Sequence, residues 1–461
     1  MPLEYACVVP HPPLIVPEVG RGEEKKIQPT IDAYNHIAGK IAEVRPDTIV
    51  LCTPHSVMYA DYIHISPGQR AQGDLGRFNA PQVSIRKEYD TELVSALSDL
   101  AFEADLRAGT LGERDAQLDH GTLVPLYFID RQYQDYKLVR ASISGQPLIN
   151  HYRFGQLIAQ AARQLGRRTV FVASGDLSHK LTQDGPYGFA PEGPAFDKQL
   201  TDAMRAGDFM AFLRFGEAFS EAAGECGLRS FIEMAGALDG RTVETDFRSY
   251  EGPFGVGYAV CGYTPVGEDE NRRFAQQYEA ERVTKLAAAK AGEDAFVRLA
   301  RLSLETYVKT GKRAPMPEGL PDDLTERRAG VFVSLKKDGR LRGCIGTITP
   351  TTGSIAEEIL RNAVSAGTGD PRFDPVEESE LSELVYSVDV LGDAEPIQSM
   401  DELDAKRYGV IVNKGHRRGL LLPKLEGVDT PRQQVDIALQ KAGIRRDEAY
   451  TMERFEVVRH K

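Results

Sequence analysis

The sequence predicts an α/β domain with a mixed sheet and helices on both faces, followed by a smaller α+β domain. Over residues 1–265, short apolar runs rich in Val, Ile, Tyr and Cys alternate with helical patterns. Near-continuous apolar strands are typical of a sheet that is covered on both faces. From about residue 292, β-prone runs lie between fewer helices, and the 461 residues allow roughly two to three domains of ~150 residues each.

The first domain is predicted over residues 1–265. Its strands are expected at Leu3–Val9, Thr48–Cys52, Leu138–Ile143, Thr169–Ala173 and Val256–Gly262. Helical patterns lie between these strands, at about Glu23–Val44, Asp90–Phe102, Tyr152–Leu165, Pro194–Ala206 and Leu228–Leu238. The stretch 266–291 is rich in Ala, Glu, Gln and Lys, which indicates a charged linker or a helix between the domains.

The second domain is predicted over residues 292–461. Asp338-Gly339 lies between two β-prone runs, Gly330–Leu335 and Arg340–Thr347, and predicts a hairpin because a two-residue primed turn needs positive φ. The other predicted elements are helices near Ala295–Lys309, Gly353–Ala366 and Pro431–Ala442, and strands near Leu384–Leu391, Gly409–Lys414 and Thr451–Val458.

The composition argues against several classes of function. The net charge is −12, whereas nucleic-acid binders usually carry a basic stripe. No apolar run approaches the ~20 residues that span a bilayer, and the start Met-Pro-Leu-Glu-Tyr shows no signal peptide. Five cysteines without a Cys-x-x-Cys pair suit a reducing compartment and argue against a zinc finger. We therefore expect a cytoplasmic protein with no nucleic-acid or membrane partner.

Four histidines lie at the ends of apolar runs and carry most of the functional information. They are His11 in Val-Val-Pro-His-Pro-Pro, His55 in Thr-Pro-His-Ser, His120 in Asp-His-Gly-Thr, and His179 in Ser-Gly-Asp-Leu-Ser-His. Open α/β sheets bind ligands just beyond the carboxyl ends of their strands, and imidazole is both a common metal ligand and a common acid/base. Taken singly, each histidine could be a loop, capping or helix-entry residue. Together they indicate a metal site with acid/base partners.

A third, anionic ligand would complete a site that begins with the imidazoles of His11 and His55. Two histidines and one carboxylate form the facial triad of non-haem ferrous enzymes. The local candidates are Glu225 and Cys226, which lie between two glycines at the predicted start of a helix. A carboxylate suits ferrous iron, whereas a thiolate suits zinc or a sulfur-ligated iron. Cys7 and Cys52 lie inside apolar strands and are expected in the core.

The first domain resembles the class III extradiol dioxygenase family and its Memo-like relatives. The resemblance implies that His11 and His55 are metal ligands and that His120 and His179 act as acid and base. It also implies a third ligand that is Glu in ring-cleaving members and Cys before Gly in Memo-like ones, and the Cys-Gly match here points to Cys226. The implied function is that of a non-haem iron oxidoreductase, with zinc as the alternative metal, acting on a small phenolic or enolic substrate.

The second domain resembles AMMECR-type domains. The match rests on Leu341–Thr347 (Leu-Arg-Gly-Cys-Ile-Gly-Thr), on Asn362-Ala363 and Asp370–Phe373, and on Tyr408–Val412 followed by Gly419–Pro423. The first of these strings is either a strand with glycine bulges and a core cysteine, or a small cleft. In a cleft, Arg342 would hold an anion and Cys344 would be a nucleophile or a ligand.

The fusion of these two domains resembles the bacterial AmmeMemoRadiSam set, which implies a radical S-adenosylmethionine enzyme as a partner. Two functions follow as hypotheses. One is a metal-dependent enzyme of the extradiol type. The other is a metal-binding accessory or scaffold protein without turnover of its own, which the Cys226 match favours.

Overall fold

A computed structural model describes residues 3–114, 116–425 and 427–461 of the chain. The chain divides into two compact units, Met1–Ala280 and Glu281–Lys461. This division falls within the stretch 266–291, and independent folding of the two parts stays a prediction. Within the described ranges, no helix is both long enough and apolar enough to cross a bilayer.

The first unit is built on a six-stranded mixed sheet in the order β7-β2-β8-β1-β10-β9. The first four strands in this order are parallel, and β10 and β9 are antiparallel to their neighbours. Two small sheets, β3-β6 and β4-β5, lie beside it. The strands are β1 (Leu3–Val9), β2 (Thr48–Thr53), β3 (Ile63–His64), β4 (Arg70–Leu75), β5 (Ala80–Glu88), β6 (Ala108–Gly109), β7 (Lys137–Ser142), β8 (Thr169–Ser174), β9 (Arg241–Glu251) and β10 (Tyr258–Glu268).

Helices cover both faces of the six-stranded sheet, as predicted. Cys7 and Val9 of β1 pack in one core cluster with α2 and α4, whereas Ala6 and Val8 pack in a second cluster with α3, α5 and α9. Cys7 and Cys52 are fully buried in these clusters, which confirms their expected place in the core. The helices are α1 (Pro17–Gly20), α2 (Gln28–Val44), α3 (Thr91–Glu103), α4 (His120–Asp130), α5 (Leu148–Gln164), α6 (Glu192–Ala206), α7 (Phe209–Leu213), α8 (Glu217–Ala223), α9 (Leu228–Ala237) and α10 (Phe274–Ala291).

Two local predictions differ from the structure for identifiable reasons. The helix expected over Glu23–Val44 is a short 3₁₀ turn, Glu23–Ile27, followed by α2. Pro29 lies in the first turn of α2, where its missing N–H is tolerated, and it would break a helix that continued through it. The edge strand β9 was not predicted, because its residues are mostly half-exposed and polar and form no apolar run.

The second unit is a curled, antiparallel half-barrel with helices, which confirms the predicted α+β class. The strand order is β12-β11-β13-β17-β15-β16, and β14 pairs with β17. Positive φ at Asp338 (52°) and Gly339 (80°) confirms the predicted hairpin turn. The elements are β11 (Val331–Lys337), β12 (Arg340–Gly346), β13 (Leu384–Leu391), β14 (Glu395–Ile397), β15 (Tyr408–Lys414), β16 (Arg417–Leu421), β17 (Thr451–His460), α11 (Ala295–Thr310), α12 (Asp322–Thr325), α13 (Ile355–Thr368) and α14 (Pro431–Ala442).

Candidate metal centre

The carboxyl ends of three neighbouring parallel strands form the floor of the candidate site. Val9 ends β1, Thr53 ends β2 and Ser174 ends β8, and the strand register pairs Val9 with Ser174. His11 and His55 each follow their strand by two residues. The structure therefore places both histidines at the edge of the sheet where open α/β folds bind ligands.

His120 reaches the site by another route, because it opens α4 instead of following a strand. The carboxylate of Asp119 caps this helix by accepting the Thr122 backbone N–H, and it also accepts the Thr53 hydroxyl over 2.7 Å. The Thr53 hydroxyl in turn accepts the backbone N–H of His55. One carboxylate thus ties the start of α4 to the end of β2, and the rings of His120 and His55 stack with centroids 4.2 Å apart.

Three ligand atoms meet above this floor: His11 Nε2, His55 Nε2 and Cys226 Sγ, all within 4.8 Å of one another. His11 Nε2 lies 2.9 Å from His55 Nε2 and 3.6 Å from Cys226 Sγ. Two ligand atoms of one ion, with nitrogen at about 2.0–2.1 Å, sulfur at about 2.3 Å and bond angles near 90–110°, lie about 2.8–3.6 Å apart. These two separations therefore fit a single metal ion.

The protonation of the three groups is also compatible with a metal ion. Burial lowers the pKa of His11 well below its ordinary value, and desolvation of the His55 ring lowers its pKa too, so both imidazoles are neutral near pH 7. Burial raises the pKa of the Cys226 thiol well above its usual value. A bound cation reverses that effect because it stabilises the thiolate. The backbone N–H of Asp176 donates to Cys226 Sγ over 3.3 Å, which favours the same form.

Only one of the two residues predicted as the third ligand joins the imidazoles in the part of the chain that the structure describes. The side chain of Glu225 turns to the start of α9, where its Oε2 accepts the backbone N–H of Leu228 over 2.7 Å. The thiol of Cys226, the next residue, belongs to the three-atom group with His11 and His55. The structure thus brings Cys226 to the site and uses Glu225 to cap a helix.

Asp176 is a residue of the site that the sequence reasoning missed. Its Oδ1 accepts the backbone N–H of His11 over 2.9 Å, and its Oδ2 lies 3.9 Å from His11 Nε2. With His179 and Cys226 it forms a second group of potential ligand atoms within 4.8 Å of one another. Burial raises the pKa of Asp176 to about 7. The sequence feature that could have identified Asp176 is its position in the Ser-Gly-Asp-Leu-Ser-His segment, three residues before His179.

His120 and His179 flank the three ligand atoms. The His120 ring centroid lies 5.4 Å from that of His11 and 5.5 Å from that of Phe78, and the His179 ring lies 5.0 Å from Tyr187. Burial, reinforced by the nearby His55, lowers the pKa of both histidines to about 4. Each is therefore neutral near pH 7 and has one ring nitrogen that can accept a proton. Nε2 of His179 is buried and makes no hydrogen bond to any described residue.

Close packing of two glycines holds the segment of Asp176 against that of Cys226. A Cβ built on Gly175 would collide with the Cα of Gly227. A Cβ built on either glycine would also collide with the ring of Phe231. Only glycine lets the two backbones approach this closely.

The remaining histidines of the first unit take other partners. His36 pairs with Asp246 over 2.7 Å. His151 pairs with Glu233 over 2.8 Å, and both side chains are fully buried. Neither histidine belongs to the groups of potential ligand atoms found among the described residues. His64 lies in β3 and is buried as well.

In the second unit, the predicted cleft residues Arg342 and Cys344 lie on β12. The guanidinium of Arg342 binds Glu380 through two hydrogen bonds of 3.0 and 2.8 Å and also donates to the Asp374 carbonyl. An anion would compete with these partners. Cys344 Sγ accepts the Ser334 hydroxyl over 3.2 Å, and burial raises the pKa of its thiol. Its roles as a nucleophile or ligand stay predictions.

Two family models match the chain. Residues 5–261 match the catalytic LigB subunit of aromatic ring-opening dioxygenase, and residues 297–460 match AMMECR1. A protein of Clostridium acetobutylicum is 43% identical over 470 residues, covering 100% of both chains. A protein of Thermotoga maritima is 51% identical over 172 residues, which cover 37% of this chain and 99% of its own.

Two solved structures are also similar to parts of the chain. An uncharacterized protein from Pyrococcus horikoshii is 35% identical with a TM-score of 0.34, covering 36% of this chain and 89% of its own. An uncharacterized protein from Escherichia coli K12 is 16% identical with a TM-score of 0.37, covering 57% of this chain and 99% of its own.

Proposed function

We propose that this chain, which belongs to the family of the catalytic LigB subunit of aromatic ring-opening dioxygenases and carries an AMMECR1 domain after it, is a non-haem metal-dependent enzyme of the extradiol type. Its substrate would be a small aromatic or enolic compound. The observation that carries this proposal is the meeting of His11 Nε2, His55 Nε2 and Cys226 Sγ within 4.8 Å of one another, with His120 and His179 beside them.

His11, His55 and Cys226 would hold the metal, since their separations and protonation fit one ion. When bound, ferrous iron would polarise the oxygens of a diol or enol and supply electrons for dioxygen chemistry, whereas zinc would supply Lewis acidity alone. Two imidazoles and one thiolate differ from the two-histidine, one-carboxylate set of ferrous oxygenases. We therefore keep zinc as the alternative metal.

His179 and His120 would move protons on the substrate. His179 is neutral near pH 7 and its Nε2 makes no hydrogen bond to a described residue, so this ring would accept a proton from a substrate hydroxyl. His120, also neutral and held against His55 by the Asp119 cap, would take up a second proton released by the substrate and return it later in the reaction. Phe78 and Tyr187 lie against these two histidines and would border a planar ring.

The test is metal loading followed by turnover of the full chain. Protein reconstituted with Fe²⁺ without oxygen should hold one equivalent of iron and, on exposure to air, should consume catechol and oxygen together. His36→Ala is the matched control, because His36 is paired with Asp246 outside the cluster. Iron bound without oxygen-dependent turnover of catechol or of other enolic substrates would contradict the enzymatic proposal.

A second function is favoured by the Cys226 ligand and the domain fusion. A metal-binding accessory protein without turnover would keep the same three ligands but would present substrate to a partner, which we propose to be a radical S-adenosylmethionine enzyme. Such a protein should bind metal tightly, fail in the turnover assay, and co-purify with that enzyme when the two are expressed together. Turnover by the isolated chain would exclude this function.

A further inference from the structure

We propose that Ser174 is a positioning residue that fixes the tautomer of His11, so that the Nε2 lone pair of His11 faces His55 and Cys226. The inference rests on the metal site of the proposed function. Ser174 would act on the ligand atoms through its hydrogen bond to Nδ1 of the His11 ring.

The hydrogen bonds of Ser174 define where the proton of His11 lies. Ser174 Oγ is 2.6 Å from the carbonyl oxygen of Gly121 and 2.9 Å from Nδ1 of His11. A carbonyl cannot donate, and a serine hydroxyl has one proton. That proton therefore goes to Gly121, and the Ser174 oxygen accepts from Nδ1–H of His11. The neutral His11 ring then carries no proton on Nε2.

Ser174 and His11 are buried, so water cannot replace the hydrogen bonds between them and Gly121. Ser174 is 0% exposed and His11 is 2% exposed. If the proton of His11 moved to Nε2, the Ser174 hydroxyl would have to turn toward Nδ1 and leave the Gly121 carbonyl without its proton. A buried polar group without its partner is costly, and Nε2–H would block metal binding at that atom.

The same hydroxyl also joins three elements of the site. Ser174 ends β8, His11 follows the neighbouring β1, and Gly121 lies in the first turn of α4 next to His120. The orientation of a proposed metal ligand and the placement of a proposed acid/base residue thus depend on one side chain.

The test compares Ser174→Ala and Ser174→Thr with Ser142→Ala as the control. Ser142 is also 0% exposed and also ends a parallel strand of the sheet, but its hydroxyl accepts the backbone N–H of His64. Fe²⁺ affinity is measured without oxygen by competition with a chelator. Ser174→Ala should weaken it by about 10–100-fold, the range typical when a hydrogen-bond partner of a metal-bound histidine is removed. Ser174→Thr should restore most of the affinity, and Ser142→Ala should leave it unchanged.

A spectroscopic readout on metal-free protein separates positioning from general destabilisation. In ¹⁵N-histidine-labelled protein, the His11 resonances, assigned by their loss in His11→Ala, should report the Nδ1–H tautomer in the wild type and in Ser174→Thr. Ser174→Ala should lose that single tautomer.

Two results would overturn the inference alone: wild-type His11 protonated on Nε2, or wild-type Fe²⁺ affinity in Ser174→Ala. Wild-type protein that binds no Fe²⁺ would overturn the proposed metal site, and the inference with it.

Discussion

Gly175 and Gly227 touch backbone to backbone, and a single methyl group on Gly175 would push the two segments apart. This contact sets the distance between Asp176, on one segment, and Cys226, on the other. The geometry of the candidate centre therefore depends on two residues that have no side chain to bind anything.

We predict that Gly175→Ala weakens metal binding and lowers stability by about 1–3 kcal/mol, the usual cost of overpacking a buried contact. Metal titration and chemical denaturation would measure both effects. Gly216→Ala is the control, since a Cβ there has nothing within 4 Å and the φ of −71° suits alanine. Equal behaviour of the two variants would contradict the prediction.

Substitution of the two adjacent candidates for the third ligand should separate their roles. Cys226→Ala should lose the metal, because its thiol is the group near His11 and His55. Glu225→Ala should keep the metal and lose about 1 kcal/mol of stability with the hydrogen bond to Leu228. Metal analysis of both variants shows which residue is the third ligand. His11→Ala and His55→Ala serve as reference variants that should lose the metal. The reverse pattern would make Glu225 the ligand.

The two flanking histidines should affect turnover and spare the metal. His120→Ala and His179→Ala should each retain iron and lose turnover by about 100-fold or more, because general acid/base catalysis contributes on this scale. Iron content and catechol consumption are measured on the same samples. A variant that loses its iron would identify that histidine as a ligand.

Glu380 should make the second domain sensitive to acid. Burial acts to raise the pKa of Glu380, but hydrogen bonds from Arg342 and the Glu377 backbone outweigh it and lower this pKa to about 2. The reference pKa of an unfolded Glu is about 4.3, so the stabilisation is present above that pH and is lost as the pH falls toward 2. The Tm difference between wild type and Glu380→Gln should therefore shrink from about pH 5 to about pH 2. Glu378→Gln, on the exposed side of the same turn, is the control. A constant difference for Glu380→Gln would contradict the prediction.

Residues 1–265 and 292–461 should fold as separate fragments, and the first should bind all of the metal. Both lengths are normal for domains. The second fragment contains only His416, His460 and Cys344 as soft ligands, and His460 already pairs with Asp294. Circular dichroism and metal analysis of both fragments test this prediction. Metal in the second fragment, or failure of either to fold, would be the contrary result.

Regular sequence patterns were sufficient to predict those helices and strands in which the buried positions repeat with the period of the element. The predicted β13 and α14 match the structure residue for residue, because β-branched alternation and a Thr-Pro start mark them clearly. His11 and His55 could be paired for a similar reason, since each follows an apolar strand. The mostly half-exposed β9, and β16, which has only five residues and starts with two arginines, lacked such a pattern and were missed.

The details of the candidate site depend on side-chain directions, which the sequence does not encode in a readable pattern. Glu225 and Cys226 are neighbours in the chain, yet one caps a helix and the other joins the imidazoles. The contribution of Asp176 rests on the register of β8 against β1. His120, for which helix entry was one of the alternatives left open by the sequence, opens α4, and the Asp119 cap holds it at the same edge.

The candidate ligands come from distant parts of the chain, since His11 and Cys226 are 215 positions apart. During synthesis at about 5–20 residues per second, His11 leaves the ribosome roughly 10–40 s before Cys226. In that interval the nascent chain contains His11 but not yet Cys226. The entropy lost in closing so long a loop is offset only when the strands and α9 have docked. Binding of the proposed metal would therefore come after synthesis and docking of these segments, and by mass action it would stabilise newly completed molecules against unfolding.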